Sequence, residues 1–146
     1  MRTEVKNNTD LKFILDNLRD EDVNELKADH GENWKQETFE NISKADGYIC
    51  YSKENKPVLV YGVTRQNDIG IIWMLSTQEI TEQVSFIRLA KEFVASCSND
   101  YRVLCNFVHD QNKLALKWLK SLGFKFDVQD HTKENFLFFY KENLNV

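Results

Sequence analysis

The sequence predicts an α+β protein, with helices packed on both faces of a mainly antiparallel sheet. Three observations carry that expectation. The first is a run of three β-like segments, Tyr48–Tyr51, Pro57–Val63 and Ile69–Leu75, separated by polar turns at 52–56 and 64–68. The second is a set of helical apolar stripes before and after that run. The third is a strand–helix–strand unit over 101–126, in which the apolar period switches from two to 3.6 and back. The order expected is β, α, α, β-β-β, α, β, α, β-β.

Arg2–Val5 alternates as an edge strand does. Asn8, Thr9 and Asp10 offer capping oxygens ahead of Leu11, Phe13, Ile14, Leu15 and Leu18, which recur at helical spacing. Asp20 is placed to cap a second helical piece carrying Val23 and Leu26 and ending before Gly31. A polar stretch over 32–46, anchored by Trp34, Phe39 and Ile42, reads as helical around Gln36–Lys44. After the three strands, Thr81–Cys97 turns Val84, Ile87, Ala90, Phe93, Val94 and Cys97 to one face. Val103, Leu104, Phe107 and Val108 form the next strand. Asn112 caps a helix whose apolar face is Leu114, Ala115, Trp118, Leu119 and Leu122. Gly123 ends it at a site suited to positive φ, and Phe136–Tyr140 is the last strand.

Composition narrows the function classes. The chain has 146 residues, 42% of them hydrophobic, which suits a single domain over 1–146 with a sizeable core. It contains no apolar run long enough to span a membrane, and no signal-peptide core at its start. That points to the cytoplasm of the producing cell or of an infected host. Cys50, Cys97 and Cys105 are scattered, without metal-ligand spacing, and read as reduced core residues; no metal site is expected. The formal net charge of −4 argues against a nucleic-acid partner. Arg88, Lys91, Lys113, Lys117 and Lys120 are the one candidate basic cluster, and a solvated helix face is its plainer explanation.

Asn112-x-x-Ala115, followed by Gly123-Phe124, together with the element order, resembles the GNAT (Gcn5-related N-acetyltransferase) fold. Tyr101, Leu104, Asn106, Phe107, Asn112, Trp118, Leu119, Lys120 and Gly123 resemble one branch of it. That branch is the GNAT-like internal virion protein family of short-tailed phages related to the T-odd coliphages. The likeness covers roughly residues 57–140.

The GNAT resemblance implies acetyl-CoA between two splayed central strands, Ile69–Leu75 and Val103–Val108. Backbone groups at Met74, Leu75 and Ser76, with Thr77, Gln78 and Thr81 in the following loop, would hold the cofactor. Asn106, Asn112 and Ala115 would hold it as well; the two asparagines could instead hold an acceptor group, and turn and cap hydrogen bonds are their plainer role. An amine would attack the thioester directly, one group taking its proton and another protonating the thiolate.

Two positions depart from the family pattern. The phosphate loop, Ser76-Thr-Gln-Glu-Ile-Thr81, has no glycine, and none occurs anywhere from Ile71 to Leu122. Glu79 and Glu82 place carboxylates where a dianion would sit, repelling it at about 4–6 Å unless they simply complement the helix dipole. Leu119 stands where the family has its tyrosine acid; His109, Tyr101 and Cys105 are the nearest substitutes. Two functions follow. One is an acetyl-CoA-dependent N-acetyltransferase with a degenerate pyrophosphate loop, acting on an amine of a host or phage protein. The other is a non-catalytic relative that acts in virion assembly or binds a host protein, with Trp34, Trp73 or Trp118 as anchors. Oligomeric state is left open.

Overall fold

The computed structural model describes residues 2–82, 85–130 and 132–143. The protein is α+β, with seven strands hydrogen-bonded in the order β1-β2-β3-β4-β5-β7-β6. These are β1 (Arg2–Val5), β2 (Tyr48–Tyr51), β3 (Pro57–Gln66), β4 (Ile69–Ser76), β5 (Val103–His109), β6 (Lys125–Asp127) and β7 (Phe136–Glu142). The helices are α1 (Asn8–Asp16), α2 (Asp20–His30), α3 (Trp34–Lys44), α4 (Phe86–Cys97) and α5 (Lys113–Ser121). Three α-helices therefore precede the strand run, where the expected order had two. No helix among the described residues is long and apolar enough to cross a membrane.

The chain divides into two compact units. One takes the residues up to Gly62 together with Trp73–Phe86; the other takes Val63–Ile72 and everything from Ile87 on.

In the first unit, β1, β2 and β3 form an antiparallel meander, with Glu4 opposite Ile49 and Ile49 opposite Val60. Leu11, Ile14 and Leu15 of α1 and Ile42 of α3 pack with Ile49, Tyr51, Val60 and Leu75. Phe13 falls off that face and is exposed, unlike its assignment to the apolar stripe. The cap of α1 is Asn7, one residue before the expected cluster; its side chain accepts the Asp10 N–H at 2.9 Å. Asp20 does not cap α2, which begins after Arg19 with no side-chain cap bond. The indole of Trp73 lies against Gly47 and Gly62, where an added Cβ would come within 2.9 and 2.5 Å of its ring.

Tyr51 donates a 2.5 Å hydrogen bond to the Asp10 carboxylate. Burial, reinforced by that carboxylate, pushes the Tyr51 phenol up to about 12, and burial does the same to Tyr61. The folded state thus favours neutral phenols. Their contribution is complete below the ordinary value of 10.0 and is lost as pH climbs from there toward 12. Urea unfolding across that window should show falling stability, and Tyr51→Phe should flatten the slope. An unchanged slope in the variant would contradict this.

In the second unit, β4 and β5 pair in parallel from Ile69↔Val103 to Ile71↔Cys105, and β7 pairs antiparallel with both β5 and β6. Val94, Cys97, Leu104, Val108, Phe124 and Phe139 are the core, and both α4 and α5 pack on it. The helix expected from Thr81 begins only at Phe86. Gln78–Glu82 is a 3-10 turn, closed by Thr81 Oγ1 donating to the Gln78 carbonyl at 2.9 Å. Val84 and the Glu82 side chain lie outside the described residues. The core face of α5 is Ala115, Leu116, Leu119 and Leu122; Leu114 and Trp118 are half-buried outside that cluster. Gly123 follows with φ +89, as its place after the helix requires. Lys113, Lys117 and Lys120 share the outer side of α5 at i, i+4 and i+7, like-charge spacings that each cost about 0.2–0.5 kcal/mol.

Candidate cofactor and catalytic site

The residues expected to hold a cofactor at the end of β4 are bound to the first unit's own chain. Ser76 is fully buried. Its N–H donates to the Asp22 carboxylate at 3.2 Å, and its carbonyl accepts the Arg19 N–H at 3.1 Å. The Thr77 N–H donates to the Val58 carbonyl at 3.0 Å, and Thr77 bridges antiparallel to Leu18. Backbone directions alternate along a strand, so both edges of this strand end are occupied, Thr77 toward β3 and Ser76 the other way. Leu75 belongs to the core, Met74 is half-buried, and Gln78 and Thr81 lie in the 3-10 turn.

The occupying pair is itself buried. Arg19 is 2% exposed and Asp22 5%. The guanidinium donates twice to the carboxylate, at 2.9 Å from one terminal nitrogen and 3.4 Å from Nε. Such a pair is retained where each partner needs the other. Neither residue was among the sequence candidates. The only signal was an arginine three residues before an aspartate in a polar gap between two apolar stripes, which ordinarily marks an exposed turn. The hydroxyls of Ser76 and Thr77 are buried without a hydrogen-bond partner.

These residues do not fit a CoA diphosphate. The segment has no glycine to bring several N–H groups to one anion, and its turn is five residues of 3-10 helix. The Ser76 edge, where a pantetheine arm would pair, already has partners for both its groups.

The candidates for proton transfer lie in the second unit and are not brought together. Cys105 and His109 share one face of β5, four residues and so about 13 Å apart along the strand. Cys105 is buried, and burial pushes its thiol up, so it holds its proton as a thiol closed off from solvent. His109 is half-buried, stands edge-on to the Phe136 ring at 5.1 Å, and accepts the Gln111 N–H on Nδ1 at 3.2 Å. Tyr101 packs against the core beneath the Arg65 guanidinium, 4.4 Å from its ring centre. Leu119, in the family's acid position, is a core contact.

Two asparagines have structural partners. Asn112 is 2% exposed and accepts the Ala115 N–H at 3.4 Å, capping α5, while Ala115 packs on the core. Asn106 donates to the Ile72 carbonyl at 2.8 Å and accepts the Phe107 N–H at 2.7 Å. Its amide thus takes the first β4 carbonyl after the parallel ladder with β5.

Several solved acetyltransferases share this fold. The chain is similar to the GNAT domain of an S. lividans protein named PAT, with TM-score 0.73 at 10% identity over 97% of this chain and 89% of that one. It is similar to a Vibrio cholerae spermidine N-acetyltransferase solved with CoA and spermine, with TM-score 0.70 at 11% identity over 97% and 95%. A Bacillus subtilis acetyltransferase solved with CoA aligns with TM-score 0.62 at 12% identity over 97% of each chain. Identities this low establish the GNAT fold and nothing finer. No curated protein matches the sequence. Residues 52–132, more than half of the chain, match the family described as "Bacteriophage T7, probable scaffold protein Gp13". By that match the chain belongs to the T7 Gp13 family, carried on a GNAT fold.

Proposed function

We propose that the protein is a non-catalytic GNAT-fold component of phage particle assembly, acting by protein contacts in the infected cell or in the virion. One observation carries this reading: both backbone groups of Ser76 are bonded to Arg19 and Asp22, on the strand edge that an acyl-CoA would need. The glycine-free turn, the buried Cys105 and the core role of Leu119 support it. So does the family's description as a scaffold protein.

Isothermal titration with acetyl-CoA at millimolar concentration should give no saturable heat, and mass spectrometry of purified particles should find the chain. Saturable binding together with CoA-dependent acetylation of any amine would reverse the conclusion.

A second reading, an acetyl-CoA-dependent N-acetyltransferase acting on a host or phage protein amine, is favoured by one feature. The β4–β5 backbone ladder ends at Ile71↔Cys105, with a side-chain amide on the next carbonyl. That reading requires the Arg19–Asp22 pair to leave Ser76, and a proton carrier other than Cys105.

A further inference from the structure

The outer faces of the helices differ sharply in charge. In the second unit, α4 and α5 present Arg88, Lys91, Lys113, Lys117 and Lys120 to solvent, against one carboxylate, Glu92. None of the five forms an ion pair among the described residues. In the first unit, α2 carries Asp20, Glu21, Asp22, Glu25 and Asp29 against Lys27 and His30, with Asp29 3.5 Å from His30 and Glu21 3.9 Å from Arg19. Of these carboxylates only Asp22 is buried. A chain of net charge −4 thus keeps an unneutralised basic helix face.

We propose that the basic face of α5 docks on the acidic face of α2 in a second copy of this chain. The spacings match: Lys113, Lys117 and Lys120 repeat about once per helical turn, as do Glu21, Glu25 and Asp29. Lys113 opens α5, where a cation opposes the helix's own dipole; a neighbouring helix of carboxylates offsets that and the repulsion among the three lysines. Leu114, half-buried, lies beside the lysines on α5 and supplies apolar contact. Because the two faces are different patches, the contact is heterologous, and copies add head to tail. The proposal extends the assembly reading by naming a partner, but its test does not depend on particles or on CoA.

Sedimentation velocity of the full chain should show reversible, concentration-dependent association. Its constant should fall at least about tenfold between about 0.05 and 0.5 M salt. Lys113→Glu/Lys117→Glu/Lys120→Glu should sediment as a monomer with an unchanged unfolding transition, as should Glu25→Lys/Asp29→Lys. Mixing the two variants should restore association, because each then offers the other a complementary face. A chain that stays monomeric at low salt would overturn the proposal, as would association indifferent to salt or to these substitutions. A stripe that instead binds duplex DNA, with the chain monomeric, would replace it with a nucleic-acid contact.

Discussion

Replacing Asp22 with alanine should destabilise the protein by about 3–5 kcal/mol. The change strands two groups. The Arg19 guanidinium, 2% exposed, loses the carboxylate to which it donates two hydrogen bonds. The Ser76 N–H loses its partner in a fully buried position. A buried cation stripped of its closest carboxylate and an unsatisfied amide each cost more than the intact interaction contributed, because water is no longer available to replace what was removed. The double variant Arg19→Met/Asp22→Leu should be milder than Asp22→Ala alone, since it removes the charge together with its partner. Urea unfolding of both variants measures this. A loss below about 1 kcal/mol for Asp22→Ala, or a double variant as damaged as the single, would show that the pair is not a buried lock. The same variants report on function. If acetyl-CoA binds only after Asp22→Ala, the pair is an occupant of a competent site; if it binds in neither protein, the phosphate contacts are gone as well.

Gly62→Ala should cost about 1–3 kcal/mol. A Cβ there would lie 2.5 Å from the Trp73 ring and 2.7 Å from the Asp46 carbonyl oxygen. The indole is half-buried against the first unit's core and contacts Gly47 on the same ring, and the carbonyl is backbone, so neither neighbour gives way without cost. Gly62→Ala/Trp73→Phe should recover part of the loss by removing the nearer ring atoms and leave the part due to Asp46. The thermal midpoints of the three proteins test it: a Gly62→Ala variant as stable as the parent would mean the strand shifts freely. Trp73 is half-buried against the first unit's core, over two glycines.

Much of the fold was legible in the residues because its signals are local. Alternating β-branched and aromatic residues marked β2 through β5, and helical apolar spacing marked α1, α4 and α5. Asn112 and Gly123 bracket α5 in the roles their side chains suit. The errors came where two local signals compete. Asn7 took the α1 cap from the neighbouring Asn8–Asp10 group, and Phe13 lay one residue off the buried stripe. On α5, Leu116 replaced Leu114 and Trp118 in the core, because which apolar residues turn inward depends on how the helix is rolled onto the sheet.

The sequence by itself determined the α+β class, the strand run and the framing of α5. It also carried the two departures that weaken the chemistry, a glycine-free turn after β4 and Leu119 in the acid's place. Those are statements about which atoms exist, and they need no third dimension. Only the tertiary structure decided what became of the candidate site. It put Arg19 and Asp22, more than 50 residues before Ser76 in the chain, onto the β4 strand end. The physical reason is burial: a polar residue reads as exposed until a partner distant in sequence closes over it, and the Arg19–Asp22 pair, local in the chain, is buried because the fold brings Ser76 of β4 against it.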